Sequence, residues 1–179
     1  IGTSLDDAIG EAFDKCGKRM GLNYPAGHQI DKLAKDGNHT RFNFPITKLK
    51  DYNVSYSGVK TSFTNFIQKQ KDPKFITKNL NDLCASLQYT LIQIILIKIE
   101  KAAQDYGINQ IVIGGGVAAN SEIRKQLKNI AKSKDWKVFL PPLAYTSDNA
   151  AMIGIAGYYK LQQKQYGSIS DSSQARLKI

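Results

Sequence analysis

Ile111-Val112-Ile113-Gly114-Gly115-Gly116-Val117-Ala118-Ala119-Asn120-Ser121-Glu122 is the stretch whose reading decides the fold. Three apolar residues run through three glycines into a pair suited to begin a helix. In α/β folds such a passage brings backbone N–H groups against a phosphate or a nucleoside. It is also compatible with a tight strand-to-helix turn capped by Asn120 or Ser121. The spacing matches neither a Rossmann fingerprint, which needs a further G-x-x-G, nor a Walker loop, which needs Gly-Lys-Ser/Thr.

Outward from this loop the pattern stays α/β. A strand is expected over Gln110–Ile113, a helix over Ser121–Ser133 carrying Ile123, Leu127, Ile130 and Ala131, and a strand over Lys137–Leu140 stopped by Pro141-Pro142. A last helix from about Asn149 to Gln163 carries small residues, Ala150, Ala151, Gly154 and Ala156. This alternation predicts parallel pairing. N-terminal to the loop, a long helix from Leu80 to Tyr106 shows a wide stripe of Leu83, Leu87, Leu91, Ile94, Ile95, Ile99 and Ala102, the signature of a central packing element. Further back, Leu5, Ile9, Phe13, Cys16 and Met20 predict a helix from Leu5 to Met20, ended by Gly21. A turn at 23–27, a helix from His28 to Lys35 and a helix from about Val59 to Gln70, broken at Asp72-Pro73, complete the set. Phe42 with Phe44, and Val54 with Tyr56, alternate with polar residues and read as two short strands, paired antiparallel. From Lys164 onward the composition turns to Ser, Gln and Gly and predicts irregular chain.

Composition bounds the function. The 179 residues are 42% hydrophobic and carry 25 Lys and Arg against 15 Asp and Glu, a formal charge of +10. That excess favours an anionic partner such as a nucleic acid or nucleotide, or simply a basic solvated surface. Cys16 and Cys84 lie in unrelated contexts without C-x-x-C spacing, which argues against a disulfide framework or zinc knuckle and suits a reducing, cytoplasmic setting. The most apolar run, Leu91–Ile99, spans nine residues and is interrupted by Gln93 and Lys98, so no transmembrane helix is expected against the roughly 20 residues one requires. The chain opens without Met on what reads as a strand end, as a piece of a longer protein would.

Other candidate groups are ambiguous on pattern alone. Thr146-Ser147-Asp148-Asn149 is a second helix entrance beyond a strand end, where Asp148 could be a hard oxygen ligand or a helix N-cap. Asp7, Glu11 and Asp14 fall at i, i+4 and i+7, so three carboxylates share one face that could accept from ribose hydroxyls or be solvated. His28 and His39 lack zinc-site spacing. Lys60 could reach an anion or form a helix-surface salt bridge.

The order of these motifs is more specific than any of them singly. Leu5 to Lys15, Gly21-Leu22-Asn23-Tyr24-Pro25-Ala26-Gly27, Val54 to Thr61, Gly114 to Asn120, and Ser147-Asp148-Asn149-Ala150-Ala151-Met152 together closely resemble the tRNA threonylcarbamoyladenosine transferase family of the TsaD and Gcp type, over nearly the whole chain. The resemblance implies an actin-like, sugar-kinase-like ATPase fold. Residues 1–163 would form its C-terminal lobe, with a mostly helical segment at 59–106, followed by an irregular tail at 164–179 and with the N-terminal lobe absent. It implies that Asp14, Gly27, Asp31 and Asn120 contact threonylcarbamoyl-adenylate or ATP, beside the glycine loop of Gly114, Gly115 and Gly116. It also implies that Asp148 binds one divalent metal ion, iron, with zinc and magnesium as alternatives. The implied reaction is transfer of threonylcarbamoyl from the adenylate to the exocyclic amine of the adenosine 3′ of the anticodon, in tRNAs reading A-starting codons. Implied partners are tRNA, a paralogous actin-fold subunit and a small ATPase subunit, with no membrane. Two departures stand out. The family's Tyr-Pro-Gly-Gly-Pro is Tyr24-Pro25-Ala26-Gly27-His28 here, and its H-x-x-x-H histidines and Ser-Gly-Gly-His loop have no counterpart, so this chain alone is expected to be inactive. Rival readings are a non-catalytic nucleotide-binding or scaffolding subunit and, without any H-E-x-x-H, a metalloprotease.

Overall fold

The computed structural model describes residues 1–173 and divides the chain into two compact units, Ile1–Thr146 and Ser147–Ile179. The expected tail at 164–179 is without regular structure over 164–173, and its remainder lies outside the described residues.

The first unit contains helices α1 (Ile9–Arg19), α2 (Gly27–Ala34), α3 (Ser57–Gln68) and α4 (Phe75–Tyr106), strand β1 (Gln110–Val112), helix α5 (Ser121–Lys134) and strand β2 (Lys137–Phe139). The strands pair in parallel, with Gln110, Ile111 and Val112 opposite Lys137, Val138 and Phe139, and α5 is their crossover. This is the α/β arrangement that the alternating pattern implied. One face of the sheet packs inward through Ile113, Val138 and Leu140. The other presents Val112 and Phe139 to solvent.

Helix α4 organises the unit. Leu83, Leu87, Leu91 and Ile94 enter a core shared with α1, α2 and α3. Ile92 and Leu96 face the opposite way, into a second core completed by Ile123 and Leu127 of α5. The helix is therefore buried on far more of its circumference than a single stripe requires. By length and composition it could cross a membrane, with a mean hydropathy of 1.4 over an 18-residue window. That window is 67% buried inside the protein, so its apolarity is accounted for by the core. Lys98, which interrupts the apolar run, sends its ammonium to the carbonyls of Leu49 and Asp51, at 2.6 and 2.8 Å, and so pins the connecting loop to the helix. The helix begins one turn earlier than expected, across a kink at Asn79, and ends on left-handed Gly107.

Two sequence expectations need correction. The first helix starts at Ile9 rather than Leu5, because Thr3–Leu5 is held extended beside Val54: Leu5 N donates to Val54 O and Val54 N to Thr3 O, each at 3.0 Å. Leu5 is consequently 60% exposed. This contact also replaces the expected antiparallel strand pair, since Val54 forms a parallel bridge with Ser4 and no strand forms at Phe42–Phe44. The alternation there reflects aromatic packing instead. Phe42 and Phe44 lie against Phe63, Phe66 and Phe75 with ring centroids 5.1–5.9 Å apart. Asp6 locks the Val54 segment from the other side. Burial alone would raise its carboxyl, but donation from Ser55 Oγ, Tyr56 N and Ser57 Oγ outweighs this and holds it well below the usual carboxylate range.

The second unit, taken by itself, holds α6 (Ala150–Gln162), capped by Asn149 Oδ1 accepting from Met152 N at 3.0 Å. All of its side chains are exposed.

If α4 is a core element, truncating a fully buried position on it removes packing that the neighbouring helices cannot replace. Leu91→Ala should cost about 2–5 kcal/mol, read as a shift in the urea midpoint with an unchanged slope. A cost below about 0.5 kcal/mol would show that the face is not buried.

Candidate functional site

A cleft of about 510 Å³ opens in the first unit between α1, the turn before α2, and the end of the glycine loop. Its apolar wall is Ile9, Phe13 and Val117. Its polar side chains are Asp14, His28, Asp31 and Asn120, with Gly27 and Gly116 exposing backbone. All four residues singled out for the adenylate thus line one cavity, although they lie between 14 and 120 in sequence.

Asp14, Asp31 and Asn120 hold the cleft together. Asp14 Oδ1 accepts from Ala26 N at 2.7 Å and Gly27 N at 3.3 Å, satisfying the orphan N–H groups at the start of α2. Asp31 Oδ1 accepts from Ser121 N at 3.1 Å and Ser121 Oγ at 2.8 Å, tying α2 to the start of α5. Asn120 Oδ1 caps α5 by accepting from Glu122 N and Ile123 N at 3.0 and 3.1 Å. Its amide nitrogen donates to Gln88 Oε1 of α4 at 2.7 Å inside the core. The Oδ2 atoms of Asp14 and Asp31 receive no hydrogen bond among the described residues. Two oriented carboxylate oxygens therefore remain to accept from a ligand's hydroxyl or N–H groups.

The glycine loop is open on its outer side. A Cβ at Gly114, Gly115 or Gly116 would meet nothing within 4 Å, and Gly115 takes φ +82°, which favours glycine. At Ala26 the departure from the family turn has a local cause. Its methyl sits over Gly17 of α1, where a Cβ would lie 2.2 Å away, so an alanine fits only because the opposing residue has no side chain.

The other candidates separate from the cleft. Asp7 is outside α1 and is bridged by Lys15 and Lys60, at 2.7 and 2.6 Å, which together hold its carboxyl below its ordinary range. Lys60 thus has a carboxylate partner, and Glu11 pairs with the same Lys15. The three-carboxylate face does not form as one surface. His28 stands exposed at the mouth of the cleft, whereas His39 stacks on Tyr89. Burial pushes the thiols of Cys16 and Cys84 up to about 12, which leaves them neutral and unreactive. Asp148 belongs to the second unit, is exposed, and is not the N-cap of α6, a role taken by Asn149. Among the described residues no three His, Cys, Asp or Glu side chains gather to hold a metal ion. Sequence reasoning missed the apolar wall, because Ile9, Phe13 and Val117 read simply as helix and loop core. It also missed Gln88, whose only sequence signal is a polar residue inside an apolar run.

A model of the family described as tRNA N6-adenosine threonylcarbamoyltransferase matches residues 1–155. Proteins of that name from Christiangramia forsetii, Cytophaga hutchinsonii and Thermosipho africanus are 49%, 45% and 47% identical to this chain, covering 100%, 100% and 97% of it and 53%, 53% and 51% of their own lengths. The chain thus spans about half the length of the curated relatives it matches. Among solved structures, T. kodakarensis HypF aligns over 79% of this chain and 17% of its own, with a TM-score of 0.54 and 18% identity, a likeness of fold alone.

The contact between Gly17 and Ala26 sets a test of how the cleft is built. Gly17→Ala should destabilise by about 1–3 kcal/mol through overpacking, and Ala26→Gly in the same chain should recover most of that loss. Additive costs in a thermal double-mutant cycle would show that the two residues do not share a contact.

Proposed function

Because the chain belongs to the tRNA N6-adenosine threonylcarbamoyltransferase family, we propose that it supplies the nucleotide-binding half of an acyl transfer to tRNA, within the C-terminal lobe of an actin-like fold. The donor is threonylcarbamoyl-adenylate, and the acceptor is the exocyclic amine of the adenosine 3′ of the anticodon in tRNAs reading codons that begin with A. The amine nitrogen attacks the carbamoyl carbon, the bond from that carbon to the phosphate oxygen breaks, adenylate leaves, and the amine loses a proton. The observation that carries this reading is the convergence of Asp14, Gly27, Asp31 and Asn120 on one cleft with an apolar wall.

The residues act by position. The wall of Ile9, Phe13 and Val117 suits a purine face, and the free oxygens of Asp14 and Asp31 suit ribose hydroxyls. The N–H groups of the open glycine loop suit the phosphate of the adenylate. Holding the donor's carbonyl at a fixed point turns a bimolecular encounter into an oriented one, a gain of up to about 7–11 kcal/mol when geometry is ideal. No general base is assigned among these residues, and the released proton passes to solvent.

The metal is a different matter. The family resemblance assigns one divalent ion, iron by preference, to Asp148, yet a single exposed carboxylate does not make a site. The residues here do not fit the ion by themselves, and no step is routed through it. We further propose that the whole protein works in the cytoplasm with a paralogous actin-fold subunit and a small ATPase subunit, and that this chain alone is inert.

Calorimetry on the chain tests the reading. ATP should bind with a dissociation constant in the micromolar-to-millimolar range, about 4–8 kcal/mol of free energy. Asp14→Asn with Asp31→Asn, which keeps each Oδ1 as an acceptor, should weaken it about ten-fold or more. Unchanged affinity in that variant would remove the cleft from the reading. Ferrous or zinc ion should bind no tighter than micromolar, and stoichiometric submicromolar binding would show that other groups complete a metal site.

A further inference from the structure

The helix that leaves the cleft carries a second, unassigned feature. Between α5 and β2 runs a groove of about 650 Å³ whose walls include Arg124, Lys125, Lys128, Lys132, Trp136 and Val138, with no acidic residue among its lining. Lys128 and Lys132 are exposed one turn apart on α5, and among the described residues neither forms an ion pair. Trp136 is the one tryptophan of the sequence and is half-buried on the wall, with the Lys134 ammonium 5.7 Å from its ring centre. A row of uncompensated ammonium groups beside an indole is the combination that holds a nucleic acid strand, the charges meeting successive phosphates and the ring offering a face for a base.

The other basic groove of this unit makes a useful contrast. It lies between α1 and α3, but two of its cations, Lys15 and Lys60, are already committed to Asp7. In the α5 groove Lys125 is paired with Glu122, while Lys128 and Lys132 stay free beside Trp136, and the groove is also joined to the cleft. Ser121, at its head, is the residue gripped by Asp31, and Arg124 donates from Nε to Ala118 O at 2.5 Å and from Nη2 to Pro141 O at 2.6 Å. A strand lying along α5 would therefore run toward the glycine loop.

We propose that the groove between α5 and β2 binds the RNA acceptor, with Lys128 and Lys132 on its phosphates and Trp136 against a base, and so leads the strand toward the adenylate cleft. This rests on the transferase reading above and adds to it the surface that holds the substrate.

The single tryptophan makes the test direct. The chain is titrated with a short unmodified anticodon stem–loop RNA while Trp136 emission is followed, in parallel with anisotropy of the labelled RNA. Saturable quenching is expected, with an affinity that falls steeply as salt rises. Lys128→Glu with Lys132→Glu should weaken binding at least about ten-fold and lower the salt slope by about 2. Trp136→Leu should weaken it about ten-fold by anisotropy. Lys18→Glu with Arg19→Glu, in the other groove, should change it less than about three-fold. No RNA binding, binding without quenching, or undiminished affinity in the Lys128 and Lys132 variant would overturn the proposal, as would equal quenching by heparin, which has charge but no bases. ATP titrated into the same variants reads the cleft separately. Retained ATP affinity with undiminished RNA binding in the α5 variant defeats the groove alone, whereas ATP affinity indifferent to Asp14 and Asp31 defeats the transferase reading.

Discussion

Burial of α4 on opposite sides is the constraint on which the first unit depends. Leu83, Leu87, Leu91 and Ile94 close the core with α1, α2 and α3, while Ile92 and Leu96 close another with α5 and the sheet. Both groups of elements close on α4, the one helix that contributes buried side chains to each core. One rigid helix inside both cores fixes where their ends meet, and that meeting place is the cleft.

A buried amide pair sets the alignment. Asn120 closes the first turn of α5 with its oxygen and reaches Gln88 of α4 with its nitrogen. A polar pair inside a core is tolerated only when both partners are satisfied, so the register of α5 on α4 has little freedom. Asp31 and Asp14 then carry that alignment to α2 and to the turn beside α1. The two aspartates that build the cleft each keep an Oδ2 without a partner among the described residues. A substitution at either of them therefore also acts on how α1, α2 and α5 are held together.

Charge is distributed to match. Acidic groups near the start of the chain are consumed in structure: Asp6 by the Val54–Ser57 segment, and Asp7 by Lys15 and Lys60. Along α5 the salt bridges engage Lys125 and Lys134 and leave Lys128 and Lys132 without a carboxylate partner among the described residues.

The sequence by itself determined the helices, the parallel strand pair and the central role of α4, because periodicity, caps and glycine stops are local signals carried by neighbouring residues. The motif order determined the family and, through the resemblance, singled out Asp14, Gly27, Asp31 and Asn120 as candidates. It failed where the decisive contact was distant. Leu5 reads as the first residue of a helical stripe until Val54 takes its backbone, and the alternation of Phe42 and Phe44 reads as a strand until Phe63, Phe66 and Phe75 pack around them. Only the tertiary structure decided that the four candidate residues meet, that Ile9, Phe13 and Val117 wall the same cavity, that Asn149 and not Asp148 caps the last helix, and that, among the described residues, Lys128 and Lys132 of α5 stand without an ion pair in the groove that Trp136 lines. The physical reason is that hydrogen-bond partners and cavities are formed between segments far apart in the chain, and neither leaves a periodic trace in any one of them.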